Sequence, residues 1–231
     1  MSATIGQSQR ERILYPDSDG QPMAENTLQF KWIVLVKEGL EDVFRDDPNV
    51  FVAGDLLWYA QEGDPKIRMA PDAMVVFGRP KGHRGSYKQW EEGGVAPQAV
   101  FEILSPGNRF GEMLRKFQFY NDRGVEEYYI YDPDTGELEG WRRAEGELRE
   151  VADMNGYVSP LLGIRFDPGD GPDDLTIYGP DGARFFTPQE RADDARAKGR
   201  LAEAERQRAD QAEDRAERLA ARLRELGESV D

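Results

Sequence analysis

Three residues carry the chemistry that this chain's spacing suggests. Asp72 follows Pro71 at the head of the apolar run at 73–77, Glu102 is embedded among the apolar residues 99–104, and Lys116 follows on a segment of helical periodicity. An acid at the start of one strand, an acid inside a second and a lysine shortly after are what a divalent-metal phosphodiesterase site requires. The two carboxylates would hold the ion, and the lysine would orient or deprotonate a water and stabilise developing charge.

Glu102 is the most informative of the three, because a carboxylate buried in a strand that apolar is costly unless it is paired or ligates a cation. Two readings stand beside each other. Alternation could turn Glu102 to a solvated face or into a salt bridge with Lys116, or Glu102 and Asp72 could share a metal ion. Asp55, in the preceding strand, is a further candidate ligand, with a turn-stabilising role as its alternative. Tyr120 lies one helical turn beyond Lys116 on the same side and could hydrogen-bond in the site, with core packing as its alternative. Glu25 and Gln29 are placed to reach the site by position alone.

Composition narrows the choice of metal. The chain has no cysteine and one histidine, His83, so thiolate sites, a cysteine nucleophile and a histidine-rich zinc site are excluded. Oxygen ligands favour magnesium or manganese, or calcium, over zinc. The net charge of −15 repels nucleic acid at long range, so a nucleic-acid substrate needs a local basic patch. The stretch 78–97 offers Arg79, Lys81, Arg84 and Lys88, interleaved with Tyr87 and Trp90, either as a phosphate-contacting loop or as a solvated one.

The elements that must position these residues follow from periodicity. Residues 1–24 are polar and turn-rich and read as an extended arm. Leu28, Trp32, Leu35, Val36, Leu40, Val43 and Phe44 recur at three-and-four spacing and predict an amphipathic helix over 24–44. A β-rich run at 50–59 is interrupted by Gly54-Asp55. Residues 98–104 predict a central strand apolar on both faces. A helix is predicted over 111–123, ended by Gly124, then strands at 126–132 and 137–143, with another near 148–151. Short apolar pieces at 161–164 and 175–178 could add strands. The order describes an α/β or α+β sheet domain.

From residue 189 the composition changes to Ala, Glu, Arg and Leu without proline. Ala202, Ala209, Ala216 and Leu223 fall at one heptad position and Ala212, Leu219 and Leu226 at the next core position, which predicts a long charged helix with a coiled-coil seam. It is expected to pair with a second copy, giving a homodimer. Nothing approaches the ~20 apolar residues of a membrane span, and no signal-peptide pattern is present, so a cytoplasmic protein without membrane association is expected.

Four blocks carry a family resemblance: residues 71–75 (Pro-Asp-Ala-Met-Val), residues 100–106 (Val-Phe-Glu-Ile-Leu-Ser-Pro), Arg115-Lys116 with Tyr120, and residues 124–133 (Gly-Val-Glu-Glu-Tyr-Tyr-Ile-Tyr-Asp-Pro). In this order they resemble the signature of the Uma-two family of restriction-endonuclease-like proteins, placed in the PD-(D/E)XK nuclease superfamily. With the first helix, the resemblance covers about residues 25–145. It implies an α/β fold, a restriction-endonuclease-like mixed sheet flanked by helices, with Asp72 and Glu102 as metal ligands. Leu104 occupies the place two residues after Glu102 where the superfamily's simplest pattern has lysine, and the family's arrangement nominates Lys116 from the following helix.

The organisation expected is an arm at 1–24, a restriction-endonuclease-like domain at 25–188 and a coiled-coil helix at 189–231. The function expected is a metal-dependent endonuclease with magnesium or manganese as cofactor and nucleic acid, DNA first, as substrate. Its rival is a nucleic-acid-binding or regulatory scaffold that keeps the fold without efficient cleavage. The displaced lysine and the net charge favour the rival, and retention of both carboxylates favours the enzyme.

Overall fold

The computed structural model describes residues 13–18, 20, 22–108 and 110–225. The chain divides into two compact units, residues 1–185 and 186–231. The first unit begins with helix α1 (Thr27–Val43). Its N-cap Asn26 accepts the Gln29 N–H at 2.8 Å, satisfying one of the amides that a helix start leaves without a partner.

A six-stranded mixed sheet forms the centre. In spatial order it runs β1 (Val50–Gly54), β4 (Ala73–Phe77), β6 (Ala99–Ile103), β7 (Glu127–Tyr131), β8 (Leu138–Ala144) and β9 (Glu147–Glu150). All neighbours are antiparallel except β6 and β7, which are parallel and joined through helix α2 (Phe110–Asp122), because a parallel connection needs a crossover. The fold class is therefore α/β with a mixed sheet flanked by helices.

Strand alternation sorts the side chains to two apolar layers. Trp32, Ile33, Leu35, Val36 and Leu40 of α1 pack with Val52, Val75, Phe101, Ile103 and Tyr129. Phe51, Met74, Val76, Val100, Tyr128 and Ile130 face the other way, with Tyr120 of α2 packed among them. Leu40 is wholly buried, and truncating it to alanine costs about 2–5 kcal/mol for such a site. Gly39 lies against the Phe185 ring so closely that a Cβ there would fall 2.0 Å from a ring carbon.

Two features depart from the periodicity reading. The stretch 78–97 is not a continuous loop. Within it β5 (Tyr87–Lys88) pairs parallel with β2 (Trp58–Tyr59), which pairs antiparallel with β3 (Arg68–Met69), making a separate three-stranded sheet. The short strands β10 (Arg165–Asp167) and β11 (Thr176–Tyr178) pair with each other as a two-stranded sheet, and Phe166 and Ile177 join the α1-side layer.

Part of the arm packs on the small sheet. The Tyr15 ring lies 5.2 Å from Tyr59 and 4.9 Å from Trp90, its hydroxyl accepts the Gly63 N–H at 2.6 Å, and Tyr59 donates its hydroxyl to the Pro16 carbonyl at 2.6 Å. The rest of the arm, residues 1–12, 19 and 21, lies outside the described residues.

The second unit contains helix α3 (Pro188–Glu225), 38 residues or roughly 57 Å at 1.5 Å per residue. Leu201 and Leu219 are exposed on it. Leu226, the last seam residue of the heptad pattern, lies outside the described residues, as do residues 227–231. No described helix is long and apolar enough to cross a membrane.

Candidate active site

The site forms where two strands of the central sheet part. The β4–β6 ladder ends at Ala73–Phe101, so the backbone of Ile103 has no strand partner on that side. Side chains take its place. The Ile103 N–H donates to Asp72 Oδ2 at 2.6 Å, and the Ile103 carbonyl accepts from Gln29 Nε2 at 2.8 Å. The pairs satisfy buried backbone groups that would otherwise cost about 1–3 kcal/mol each.

Glu102 is 1 % exposed and points from β6 to the α2 side, the same face as Val100. Both of its oxygens are engaged by one face of α2. Lys116 Nζ donates to Oε2 at 2.7 Å and Tyr120 donates its hydroxyl to Oε1 at 2.5 Å. Lys116 and Tyr120 are four residues apart, so a single helical turn delivers an ammonium and a phenol to one carboxylate. The salt bridge with Lys116, one of the two readings of Glu102, is thus present. The other reading concerns Asp72, and the two acids are electrically coupled.

Asp72 is buried, and its carboxyl is pushed well above the usual carboxylate range, first by desolvation and then by the charge of Glu102. Lys116, Asp55 and the Ile103 N–H modify this, the lysine and the amide downward and Asp55 upward. For Lys116, burial works against the ammonium, but the charges of Glu102 and Asp72 outweigh it and the pKa stands above the ordinary lysine value. The Lys116 ammonium is thereby favoured beside the two carboxylates, which suits it to stabilising charge. Tyr120 is likewise held protonated, by burial first and Glu102 second.

Asp72 and Lys116 open onto a cleft of about 240 Å³, whose walls include Glu25, Gln29, Asp55, Met69, Ala70, Ser105, Asn108 and Glu112. Asp55 sits just past β1 in a left-handed conformation, φ 45°, which aspartate tolerates better than most residues, and donates its N–H to the Asp72 carbonyl at 3.2 Å. Glu25 accepts the Ser105 hydroxyl at 2.5 Å across the β6–α2 turn, and the Ser105 N–H donates to Asn108 Oδ1 at 2.7 Å. Gly107 lies under the Glu25 carboxylate, where a Cβ would fall 2.0 Å from Oε2 and displace that side chain.

The structure thus brings together Asp72, Glu102, Lys116 and Tyr120, with Asp55 on the cleft wall. It does not bring the basic residues of 79–88 to that cleft. Arg79 and Arg84 both pair with Glu92, at 2.9 and 2.6 Å, and the Arg84 guanidinium also lies 3.9 Å from the centre of the Phe51 ring. Lys81 Nζ donates to the carbonyls of Phe44 and Arg45 at the end of α1, both at 2.6 Å, where a cation offsets the helix dipole. Lys88 is 3.4 Å from Glu91.

Gln29, Ser105 and Asn108 are site-forming residues that spacing did not single out by reason. Gln29 had a signal: it is a polar residue at an apolar-face position of α1, and it is 6 % exposed.

Among the described residues no group of three or more His, Cys, Asp or Glu could hold a metal ion, so an all-protein cage is not built. A carboxylate on the cleft, Asp72, with a second one, Glu102, buried behind it suits magnesium or manganese bound by one or two protein oxygens, waters and substrate phosphate. The residues fit an ion of that kind.

A protein-family model described as "Uma2: Putative restriction endonuclease" matches residues 20–166. Among solved structures, a crystal structure described as a putative nuclease belonging to DUF820 from Anabaena variabilis ATCC 29413 is similar, with a TM-score of 0.45 and 15% sequence identity, over 60% of this chain and 74% of that one. No curated protein matches.

Proposed function

Since the chain belongs to the Uma2 family, we propose that it is a metal-dependent endonuclease that hydrolyses phosphodiester bonds in DNA, of the PD-(D/E)XK type. The observation that carries this reading is the buried Asp72–Glu102 pair served by Lys116 beside an open cleft. Two buried carboxylates that raise one another's cost and share a single ammonium, Lys116, are an expensive arrangement that structure alone does not require.

Asp72 and Glu102 would hold a magnesium or manganese ion. Such an ion, when bound, would polarise the phosphate and lower the pKa of a bound water. The chain's own residues do the remaining work. Tyr120 fixes the orientation of Glu102 through its 2.5 Å hydrogen bond, and Asp72 is fixed by the Ile103 N–H. Lys116, held as an ammonium, offers its remaining N–H donors to a non-bridging phosphate oxygen or the attacking water and stabilises the charge that grows during in-line displacement. Gln29 secures the backbone of Ile103 between them.

The test is incubation of purified protein with supercoiled plasmid and with single-stranded DNA, in magnesium, manganese or chelator, alongside Glu102→Ala. Metal-dependent cleavage above the variant's background is expected. Equal background in every arm would remove the enzyme from the account. It would leave the rival reading, a nucleic-acid-binding scaffold without efficient cleavage, which draws on the lack of a three-ligand cage among the described residues.

The protein is also proposed to dimerise through α3. Alanine at 195, 202, 209 and 216 followed by Leu223 keeps one seam position small and apolar through five successive heptads. In a parallel pair, Arg208 at one flanking position faces Glu213 of the second chain. Sedimentation equilibrium is expected to give a dimer, and Leu219→Asp with Ala212→Asp to give a monomer; an unaltered chain that sediments as a monomer at micromolar concentration contradicts the pairing.

A further inference from the structure

The residues lining the cleft are of two chemical kinds. Glu25, Asp55, Asp72, Glu112 and Lys116 bring charge to it, with Gln29, Ser105 and Asn108 as polar neighbours. Pro22, Met23, Ala24, Met69 and Ala70 line the same cleft with side chains of carbon and sulfur alone. The chemistry at Asp72, Glu102 and Lys116 uses none of these five. They come from two segments far apart in sequence, the end of the arm and the end of β3 with the residue after it.

Both segments are fastened to the same small sheet. Met69 belongs to β3, whose partner β2 pairs in turn with β5. The arm is tied to β2 and to the start of β5 through Tyr15, Pro16 and Asp17. The Tyr15 ring packs on Tyr59 and Trp90, Tyr59 donates its hydroxyl to the Pro16 carbonyl, and the Ser86 hydroxyl donates to Asp17 Oδ1 at 3.3 Å. Met69 packs partly on the α2-side layer, whereas Met23 belongs to neither apolar layer and is exposed. Core packing therefore gives no account of Met23, and the cleft that it lines does.

We infer that Pro22, Met23, Ala24, Met69 and Ala70 form a nucleobase subsite, in which a base beside the scissile phosphate lies against the two methionines, and that Tyr15 is the positioning residue for the arm's share of it. The inference rests on the nuclease reading and deepens it. Four carboxylates on the cleft repel a second phosphate, so the part of the substrate that fits beside them is uncharged. A base offers a flat, polarisable face that suits a thioether, and methionine adapts to faces of different shape. Every base has such a face, so the subsite takes a base without reading its identity.

The experiment measures binding rather than cleavage. Fluorescence anisotropy follows the full-length protein in calcium, an oxygen-seeking cation in place of magnesium, with two labelled single strands of equal length and charge. One is oligothymidylate and the other the same backbone made abasic. The phosphate contribution is common to both, so the ratio of their Kd values reads the base. The unaltered protein is expected to bind the thymidylate strand about 2- to 10-fold more tightly, the size of a sulfur–ring contact. Met23→Ser is expected to bring the ratio toward one. Tyr15→Ala is expected to do the same from outside the cleft, and Tyr15→Phe, which keeps the ring packing, to preserve it. Because Met23 is exposed, a ratio lost in Met23→Ser does not reflect a disrupted core. A ratio of one in the unaltered protein, or an undiminished ratio in Met23→Ser, overturns the subsite, and an undiminished ratio in Tyr15→Ala overturns the positioning role. Absence of binding to either strand also overturns the subsite, and the cleavage assay in magnesium then decides separately whether the nuclease reading falls too.

Discussion

Two glutamates on neighbouring strands of the same sheet are equally buried, at 1 % exposure, and face opposite layers. Glu102 on β6 is held by an ammonium and a phenol, has a second carboxylate coupled to it, and lies behind a cleft. Glu127 on β7 is held by neutral donors alone. The Tyr129 hydroxyl donates to it at 2.9 Å, the Ser159 hydroxyl donates to the same oxygen, and the Leu161 N–H donates to the other at 3.0 Å. No cation pairs with it among the described residues.

The difference teaches what a buried carboxylate signifies. Glu127 satisfies its lone pairs with the segment that follows β9 and so fastens residues 159–161 to the sheet; its hydrogen bonds are ends in themselves. Glu102 holds Lys116, which lines the cleft together with Asp72, and its charge raises the Asp72 pKa. Burial is common to both, and the charged partner, the second acid and the opening distinguish a site from a fastening.

The largest expected effect separates the two directly. Glu102→Gln is expected to lower the metal-dependent cleavage rate by at least about 10²-fold, as loss of a preorganised charged group does. Glu127→Gln, assayed well below its melting temperature, is expected to cleave within a few-fold of the unaltered protein. Comparable losses in both would erase the distinction.

Lys116→Met sharpens it, because it leaves Glu102 with a neutral donor only, as Glu127 is. A loss of about 10²- to 10³-fold in cleavage is expected, with Lys116→Arg recovering part of it. Steady-state rates at saturating DNA measure this.

Stability should show the reverse order. Glu127→Gln places an amide among donors and is expected to cost about 1–3 kcal/mol in urea unfolding. A change within 0.5 kcal/mol, roughly the scatter of a neutral surface substitution, would mean that the Glu127 bonds fasten nothing.

The smallest effect concerns pH. Asp72 has a raised carboxyl pKa in the folded chain, so the folded state binds more protons than the unfolded one above the ordinary carboxylate range, and its contribution to stability falls as pH rises. Asp72→Asn is expected to melt a few degrees higher than the unaltered protein near pH 7, with the difference closing toward pH 4. A difference independent of pH would contradict the charge assignment.

Much of this arrangement was legible in the sequence for local reasons. The 3.6 period of α1, the apolar run around Glu102 and the four-residue interval from Lys116 to Tyr120 are short-range patterns, and each fixes which side chains share a face. The interactions that escaped are long in sequence or set by neighbours. Gln29 meets the Ile103 carbonyl 74 residues away, and β2 and β5 are two-residue strands too short to have a period. The basic stretch misled because charge counting registered Arg79 and Arg84 but not that Glu92 would fold back on both. Glu127 lay within a recognisable block, yet its donors Ser159 and Leu161 come from a Gly- and Pro-rich region with no periodic signal.

The central claim is that Asp72 and Glu102 form a divalent-cation site and Glu127 does not. Calorimetric titration of manganese into the unaltered protein, Asp72→Asn, Glu102→Gln and Glu127→Gln tests it most directly. The account predicts saturable binding in the unaltered protein and Glu127→Gln, and its loss in Asp72→Asn and Glu102→Gln. Undiminished binding in Glu102→Gln, or none in the unaltered protein, would contradict it.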